Sequence, residues 1–231
     1  MSDSQLTYTG LDILRVLDQA TNYNALLVDL ILRSARGRNR MLDFGAGIGT
    51  FSKVLRGQGV DVVCVESDVY LAGVLTREGL PTFRELDEVP DGSFEFIFAL
   101  NVLEHIKDDR AFLKRFRAKL KEGGGLLVYV PAFNSLWTSL DDKLKHYRRY
   151  RRPELDRLAR SAGFSVQESR YVDSLGFFAA LGFKIFGDKK GDLNARAVAF
   201  YDRYVVPPSR ILDSLLGGLF GKNVYIVANK N

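Results

Sequence analysis

Residues 41–52 read MLDFGAGIGTFS, and this stretch decides the fold class that we expect for the chain. Its first two residues are apolar, which is typical of a buried strand, and a helical pattern of apolar residues begins after the last glycine. The glycines Gly45, Gly47 and Gly49 allow a sharp turn and a close approach of the backbone to a ligand. Free N–H groups at the start of the next helix favour a polar or anionic group. The pattern predicts a strand–loop–helix unit that holds a nucleotide-like cofactor, and a tight turn without a ligand is the alternative.

The acid before this loop separates the pattern from a dinucleotide site. Dinucleotide-binding loops have the spacing G-x-G-x-x-G and hold a pyrophosphate at the helix N-terminus. Here the spacing is G-x-G-x-G, and Asp43 stands two residues before the first glycine. A carboxylate repels a pyrophosphate but attracts an ammonium group. These residues argue against a nucleotide-dependent oxidoreductase.

Polar residues also follow two later strand-like runs. The apolar run 60–65 ends at Glu66, and the run 94–100 ends at Asn101. An acid after the second strand of a parallel sheet can accept hydrogen bonds from both hydroxyls of a ribose. A solvated acid at a strand end is the alternative for Glu66.

Strand and helix patterns alternate from residue 41 to residue 131, which predicts an α/β fold. We expect a doubly wound, mostly parallel seven-stranded sheet with helices on both faces. We divide the 231 residues into an N-terminal helical cap at 1–40, a core at 41–172, an apolar helical lid at 173–222 and a final strand at 223–231, all within a single domain. Ligands of such sheets bind beyond the carboxyl ends of the strands.

Taken together, these motifs resemble those of the class I S-adenosylmethionine (SAM) methyltransferases of the small-molecule type. The acid and glycine loop resemble the first motif of that family. Residues 85–90 (ELDEVP) resemble its acid-rich turn, and residues 101–106 (NVLEHI) resemble its fourth motif. The resemblance covers roughly residues 20–170 and resumes at the last strand.

The resemblance implies SAM as the cofactor, S-adenosylhomocysteine as its product, and a set of contact residues. These are Asp43, Gly45, Ala46, Gly47, Gly49, Glu66, Ser67, Glu85, Leu86, Asn101, Val102, His105 and Tyr23. In this alignment Glu85 faces the adenine amino group, and Asp87 is a rival for that role. His105 either contacts the cofactor or only packs and caps. Tyr23 either reaches inward from the cap or packs between helices.

The acceptor side of the site is predicted after the fifth strand, in the basic segment 140–160. Its stretch 141–150 (DDKLKHYRRY) resembles a segment of many small-molecule members of the family. His146 is the candidate base, because an imidazole titrates near neutrality, and Tyr147 is the candidate for orienting the acceptor. A basic loop that packs its tyrosines and solvates its arginines is the alternative.

The connection before the last strand is unusually long and apolar. Segment 174–220 is expected to roof a pocket, to form a homodimer interface or to lie on a membrane surface, and a helical subdomain with its own core is the alternative. A lid with apolar side chains favours a small-molecule acceptor that is apolar, lipid-like or a natural-product intermediate.

The composition of the chain limits its expected location, its metal content and its macromolecular partners. There is no charged-then-apolar leader and no apolar run that could span a bilayer, so we expect a cytoplasmic location. The single cysteine, Cys64, excludes a disulfide within the chain, and the two histidines lie apart in sequence, so no metal site is predicted. No DNA partner is expected. The basic segment supports an RNA methyltransferase as an alternative, although no RNA-binding module is appended; a catalytically silent SAM-binding subunit is the other alternative.

Overall fold

The computed structural model describes residues 10–186, 193–216 and 218–231. Parts of the predicted cap (1–40) and of the predicted lid (173–222, including segment 174–220) lie outside these ranges. The described strands are β1 (Arg40–Phe44), β2 (Asp61–Val65), β3 (Thr82–Phe83), β4 (Phe94–Leu100), β5 (Leu120–Pro131), β6 (Phe164–Val172) and β7 (Asn223–Lys230).

The seven strands form one sheet in the order β3-β2-β1-β4-β5-β7-β6. The five strands from β3 to β5 pair in parallel, and β7 runs antiparallel to both of its neighbours. The predicted mostly parallel, doubly wound sheet is confirmed. Because β1, β2 and β4 are parallel neighbours, their carboxyl ends meet at one edge, and the polar residues that follow them come together there.

Helices cover both faces of the sheet. They are α1 (Leu11–Asp18), α2 (Thr21–Ala35), α3 (Thr50–Gly57), α4 (Val69–Arg77), α5 (Asp109–Lys119), α6 (Ser139–Lys143), α7 (Arg152–Ser161), α8 (Ser174–Phe186), α9 (Ala195–Tyr204) and α10 (Val206–Leu216). None of the described helices is long and apolar enough to cross a membrane.

The core is split by the sheet, because successive residues of a strand point to opposite faces. Ile97 belongs to the apolar cluster on one face, whereas its neighbours Phe96 and Phe98 belong to the cluster on the other. In β5, Val128 and Tyr129 divide in the same way. Both faces are therefore buried, as continuous apolar runs in a parallel sheet predict.

Residues 81–86 are predicted to hold a short third strand and its exit. The strand is two residues long, and the chain then turns into a 3-10 helix at Leu86–Glu88. The fifth strand is predicted at 126–130, after the glycines 123–125 end the preceding helix. Strand β5 differs from this prediction and begins at Leu120, because Leu120 pairs with Phe94 before the glycine run. The glycines 123–125 therefore lie within the strand and do not form a separate loop after α5.

A buried carboxylate of the predicted lid accepts hydrogen bonds from the predicted cap. Asp202 of α9 is 5% exposed and accepts the backbone N–H groups of Asn22 at 3.1 Å and Tyr23 at 2.8 Å. These N–H groups belong to the first turn of α2, where they have no partner within the helix. The lid thus supplies the N-terminal cap of a helix that is 180 residues away in sequence.

Candidate functional site

The glycine loop between β1 and α3 requires glycine at two positions. Gly45 has a φ of +78°, and a Cβ atom there would lie 2.5 Å from Cγ2 of Val102. Gly49 has a φ of +80°, and its Cβ would lie 2.8 Å from Cδ2 of Leu75. Both the left-handed backbone and the close packing exclude a larger side chain. Helix α3 then begins at Thr50, with its N-terminal N–H groups at the sheet edge.

Asp43 is the fourth residue of β1, directly before this turn, and is 3% exposed. Its Oδ2 accepts a hydrogen bond of 2.6 Å from the Ser52 hydroxyl, and no donor among the described residues reaches Oδ1. Burial raises the pKa of Asp43 to about 7, the nearby Glu66 adds to the rise, and the Ser52 hydrogen bond opposes it. A cationic ligand group beside Oδ1 would favour the ionised form.

Glu66 follows β2 and joins the second strand to the glycine loop. Its Oε2 accepts the N–H of Gly47 at 2.8 Å, and its Oε1 accepts the N–H of Asp68 at 2.9 Å. Burial raises the pKa of this carboxyl, and the two backbone hydrogen bonds act in the opposite direction. Both oxygens retain lone pairs, so Glu66 can accept hydroxyl donors as well.

A cavity of about 90 Å³ lies beside Glu66 at the carboxyl edge of the sheet. It is lined by Phe44, Gly45, Val65, Glu66, Ser67, Arg84, Glu85, Leu86, Val102 and Phe112. Six of the predicted contact residues thus share one wall. Asp87, the rival of Glu85, pairs instead with Arg115 at 2.9 Å and is not part of the lining.

Arg84 is a lining residue that the sequence did not single out. Its guanidinium donates to the Ser67 carbonyl, and its Nε is buried without a hydrogen-bond partner. The positive charge lies close enough to Glu66 to lower the pKa of that carboxyl. Nothing in the local pattern distinguishes Arg84 from a surface arginine, because its role depends on the strand-end neighbours.

The remaining predicted contacts are spread along the same edge. Ala46 lies in the glycine loop, where its N–H donates to the Val65 carbonyl at 3.3 Å. Asn101 follows β4, is exposed and has a φ of +54°. A positive φ is uncommon for a residue other than glycine, and Asn tolerates it better than most residues do. The turn directs the chain away from the sheet at the point where β4 ends.

Tyr23 lies within a polar cluster of its own, outside the cavity lining. Its hydroxyl is 2.9 Å from the hydroxyl of Tyr129 and accepts a hydrogen bond of 3.1 Å from Asn223. Asn223 also donates to Tyr129 at 2.6 Å. These bonds tie the cap to β5 and β7, and they use the hydroxyl that was predicted to reach the cofactor.

Asp141 organises the acceptor loop, by which we mean residues 132–151 between β5 and α7. Arg149 donates Nε to Oδ1 and Nη2 to Oδ2 of Asp141, both at 2.8 Å. Nδ1 of His146 lies 2.8 Å from the same Oδ1, and Thr138 donates its N–H to Oδ2 at 2.8 Å. Burial alone would raise the pKa of Asp141, but the hydrogen bonds from His146 and Arg149 lower it below its usual range.

The two histidines of the chain meet at the inner side of this loop. The ring centroids of His105 and His146 are 4.6 Å apart and nearly perpendicular. A ring nitrogen of each and a carboxylate oxygen of Glu104 all lie within 4.8 Å of one another. No metal site is predicted from the sequence, because the two histidines lie far apart in the chain. The fold brings them together beside Glu104.

Burial controls the ionisation of this cluster. Glu104 is 1% exposed, and burial raises its pKa to about 8, with a further rise from Asp141 and an opposing effect of Arg149. Burial and the neighbouring His146 lower the pKa of His105 to about 4. Near neutral pH, His105 is therefore a neutral imidazole.

The chain matches a protein-family model that is described as "Methyltransferase domain" over residues 3–169, more than two thirds of its length. Among curated proteins it is 29% identical over 179 residues to an uncharacterized 37.1 kDa protein in transposon TN4556 of Streptomyces fradiae, which covers 72% of this chain and 51% of that protein. It is 34% identical over 110 residues to a ubiquinone biosynthesis O-methyltransferase of Bradyrhizobium sp. (strain ORS 278), which covers 43% of this chain and 42% of that protein. The chain thus spans about half or less of the length of these relatives.

Solved structures share the fold. A SAM-dependent methyltransferase from Archaeoglobus fulgidus superposes with a TM-score of 0.57 at 17% identity, covering 90% of this chain and 94% of that one. Geranyl diphosphate C-methyltransferase from Streptomyces coelicolor A3(2) superposes with a TM-score of 0.64 at 12% identity, covering 90% of this chain and 77% of that one.

Proposed function

Because the chain belongs to the family of class I SAM-dependent methyltransferases, we propose that it transfers the methyl group of SAM to a small-molecule acceptor. The observation that carries this proposal is the pair of buried acids at the carboxyl edge of the sheet. Asp43 has one oxygen open for an ammonium group, and Glu66 lies beside the cavity as an acceptor for ribose hydroxyls. SAM carries both groups, one at each end of its sulfonium centre.

The cofactor lies, in this proposal, across the ends of β1, β2 and β4. Its amino-acid part contacts Asp43 and the glycine loop. Its adenine enters the cavity between Glu85 and Leu86, where the Leu86 side chain is 1% exposed and supplies an apolar floor. Val102 closes the cavity from the side of β4. His105 and Tyr23 stay predictions as cofactor contacts.

Methyl transfer from a sulfonium is an in-line displacement, so holding the acceptor in line supplies much of the catalysis. The acceptor loop is the part of this chain that we propose for that task. The Tyr147 side chain is 56% exposed, while its backbone N–H donates to the Glu104 carbonyl at 2.8 Å. Its hydroxyl is therefore free to contact an acceptor while its main chain is fixed.

His146 stays a prediction as the base. Its side chain is 8% exposed and Nδ1 is held by Asp141, so Nε2 is the nitrogen left for an acceptor proton. The bond to Asp141 fixes the ring orientation, which is a requirement for a base that acts at one atom. Unchanged turnover and pH profile in His146→Ala would remove His146 from this role.

The acceptor class that we favour is apolar or lipid-like. Helices α8 and α10 expose apolar side chains on the lid: Phe178 is 56% exposed, Ile185 is 63% exposed and Leu215 is 76% exposed. The relative from Bradyrhizobium is named for ubiquinone biosynthesis, and the neighbour from Streptomyces coelicolor methylates geranyl diphosphate. A membrane contact or a homodimer through segment 174–220 stays a prediction, as does a cytoplasmic location.

The basic segment 140–160 supports an RNA acceptor less strongly than its composition suggests. Arg149 is bound to Asp141, and Arg148 is bound to Asp109 at 2.7 Å. Two of its arginines therefore hold the loop to the protein and do not form a free phosphate-binding surface. An RNA methyltransferase and a silent SAM-binding subunit remain as outcomes of the experiment below.

The experiment is incubation of the protein with methyl-labelled SAM and cell extract, followed by separation into lipids, small polar molecules, protein and RNA. We expect the label in the lipid or small-molecule fraction, and none with Asp43→Asn. Label in RNA would contradict the proposed acceptor class. Binding of SAM without transfer to any fraction would contradict the proposed activity.

A further inference from the structure

We propose that Glu104, His105 and His146 bind one divalent transition-metal ion at the junction of the β4 end and the acceptor loop. A ring nitrogen of each histidine and one carboxylate oxygen of Glu104 lie within 4.8 Å of one another. Ligands at 2.0–2.2 Å from a common ion lie roughly 3–4 Å apart. Small side-chain movements are enough to bring the three atoms to that spacing.

His146 is oriented as metal-binding histidines usually are. Its Nδ1 is 2.8 Å from Oδ1 of Asp141, and Asp141 is fixed by the two bonds from Arg149. A ligating histidine commonly donates its other ring N–H to a carboxylate, which sets its tautomer and directs the free nitrogen to the ion. For His146 that free nitrogen is Nε2.

His105 has the second common arrangement. The Leu144 backbone, in the acceptor loop, acts on the His105 ring in the direction that raises its pKa, as a carbonyl that faces a ring N–H does. A backbone carbonyl serves the same purpose as a carboxylate in fixing the ring of a ligand. Each imidazole is thus held at one nitrogen and open at the other.

Glu104 supplies the observation that points to a ligand. Both of its carboxylate oxygens are buried without a hydrogen-bond partner. A buried polar group without a partner costs free energy, so such groups normally bind a donor, a water or an ion. Glu104 is next to His105 in sequence, and the fold brings it close to His146. A cation bound between the three side chains would give the carboxylate a partner.

The ligand set indicates the class of ion. Two imidazoles and one carboxylate suit first-row metals such as Zn²⁺, Co²⁺ or Fe²⁺, whereas Mg²⁺ and Ca²⁺ prefer oxygen ligands. Three protein ligands leave at least one position open. Occupation of that position by an acceptor oxygen rests on the proposed function, but metal binding itself does not. Coordination through Nε2 would replace the base role predicted for His146, since the ion then holds the lone pair.

The test uses the full chain without a histidine tag, stripped of metal by a chelator, in the absence of SAM and acceptor. Titration with Co²⁺ should give visible absorption bands that saturate at one equivalent, and Zn²⁺ should displace them. Zn²⁺ should also raise Tm, because an ion that binds only the folded state stabilises it. Absence of both signals would overturn the proposal.

Four variants locate the ion. Glu104→Gln, His105→Asn and His146→Asn should each weaken Co²⁺ binding at least tenfold, and Asp141→Asn should weaken it about 10–100-fold by releasing His146. Glu78→Gln, at an exposed acid that follows the C-terminal end of α4, is the matched control and should bind as the wild type does. Equal affinity in all variants would show adventitious binding and would overturn the site. Folding of each variant is first checked by circular dichroism, because His105 is also a predicted cofactor contact. SAM binding by the metal-free wild type reports the proposed cofactor site independently of the metal.

Discussion

At the residue scale, Asp43 is held in an environment that disfavours its own charge. It is 3% exposed, and burial raises its pKa to about 7, whereas a solvated aspartate ionises near 4. A site built only for stability would place an apolar or amide side chain here. In the proposed SAM site this carboxylate has a reason, because the ammonium group of the ligand would favour the charged form.

Replacement of Asp43 by asparagine should separate stability from binding. In the folded wild type the Asp43 carboxyl keeps its proton up to about pH 7. In the unfolded chain the same carboxyl loses its proton near pH 4. Between pH 4 and pH 7 the folded state therefore binds more protons than the unfolded state. The free energy of unfolding falls as pH rises through this range, by up to about 1.4 kcal/mol per pH unit, and the fall levels off above pH 7.

Urea unfolding of ligand-free wild type and Asp43→Asn between pH 4 and pH 8 measures this effect. We expect the wild type to lose stability relative to the variant as pH rises to about 7. A difference that is independent of pH would show that Asp43 is not buried as an acid. Asp43→Ala is the harsher variant, because it also leaves the Ser52 hydroxyl without its acceptor.

At the element scale, the acceptor loop is fixed from inside by Asp141. Arg149 donates two hydrogen bonds to Asp141, and replacing it should loosen the loop. The predicted cofactor cavity should be unaffected, because Arg149 is not among its lining residues. Arg149→Lys keeps the charge but cannot reproduce the two-pronged geometry. We expect a loss of about 1.5–3 kcal/mol in the free energy of unfolding, the usual worth of hydrogen bonds to a charged group.

Chemical denaturation gives that value, and calorimetry shows whether SAM affinity is retained. Arg157→Lys, an exposed residue of α7, is the control and should change neither quantity. Unchanged stability in Arg149→Lys would mean that charge alone, and not the pair of hydrogen bonds to Asp141, holds the loop.

At the scale of the whole molecule, the sheet was predictable and the contacts across it were not. Apolar runs such as 60–65 and 94–100 carry their own signal, and a parallel sheet then brings Glu66 and Asn101 to one edge. At residues 81–86, which are predicted as a short strand and its exit, two residues find a partner strand.

Contacts between distant segments leave no mark in local sequence. His105 and His146 are far apart in the chain and meet only after the acceptor loop folds over the end of β4. The bond of Asp202 to the start of α2 likewise depends on lid and cap packing together. Such pairings follow from tertiary packing, and one sequence taken by itself does not record them.

The most direct test of the central claim is calorimetric titration of SAM and S-adenosylhomocysteine into the wild type and Asp43→Asn. Asp43 and Glu66 are the two acids that the proposal assigns to the ends of the cofactor. We predict one bound equivalent of either ligand in the wild type and affinity at least 100-fold weaker in Asp43→Asn, with the variant still folded. A folded wild type that binds neither ligand, or a variant that binds both unchanged, would contradict the account.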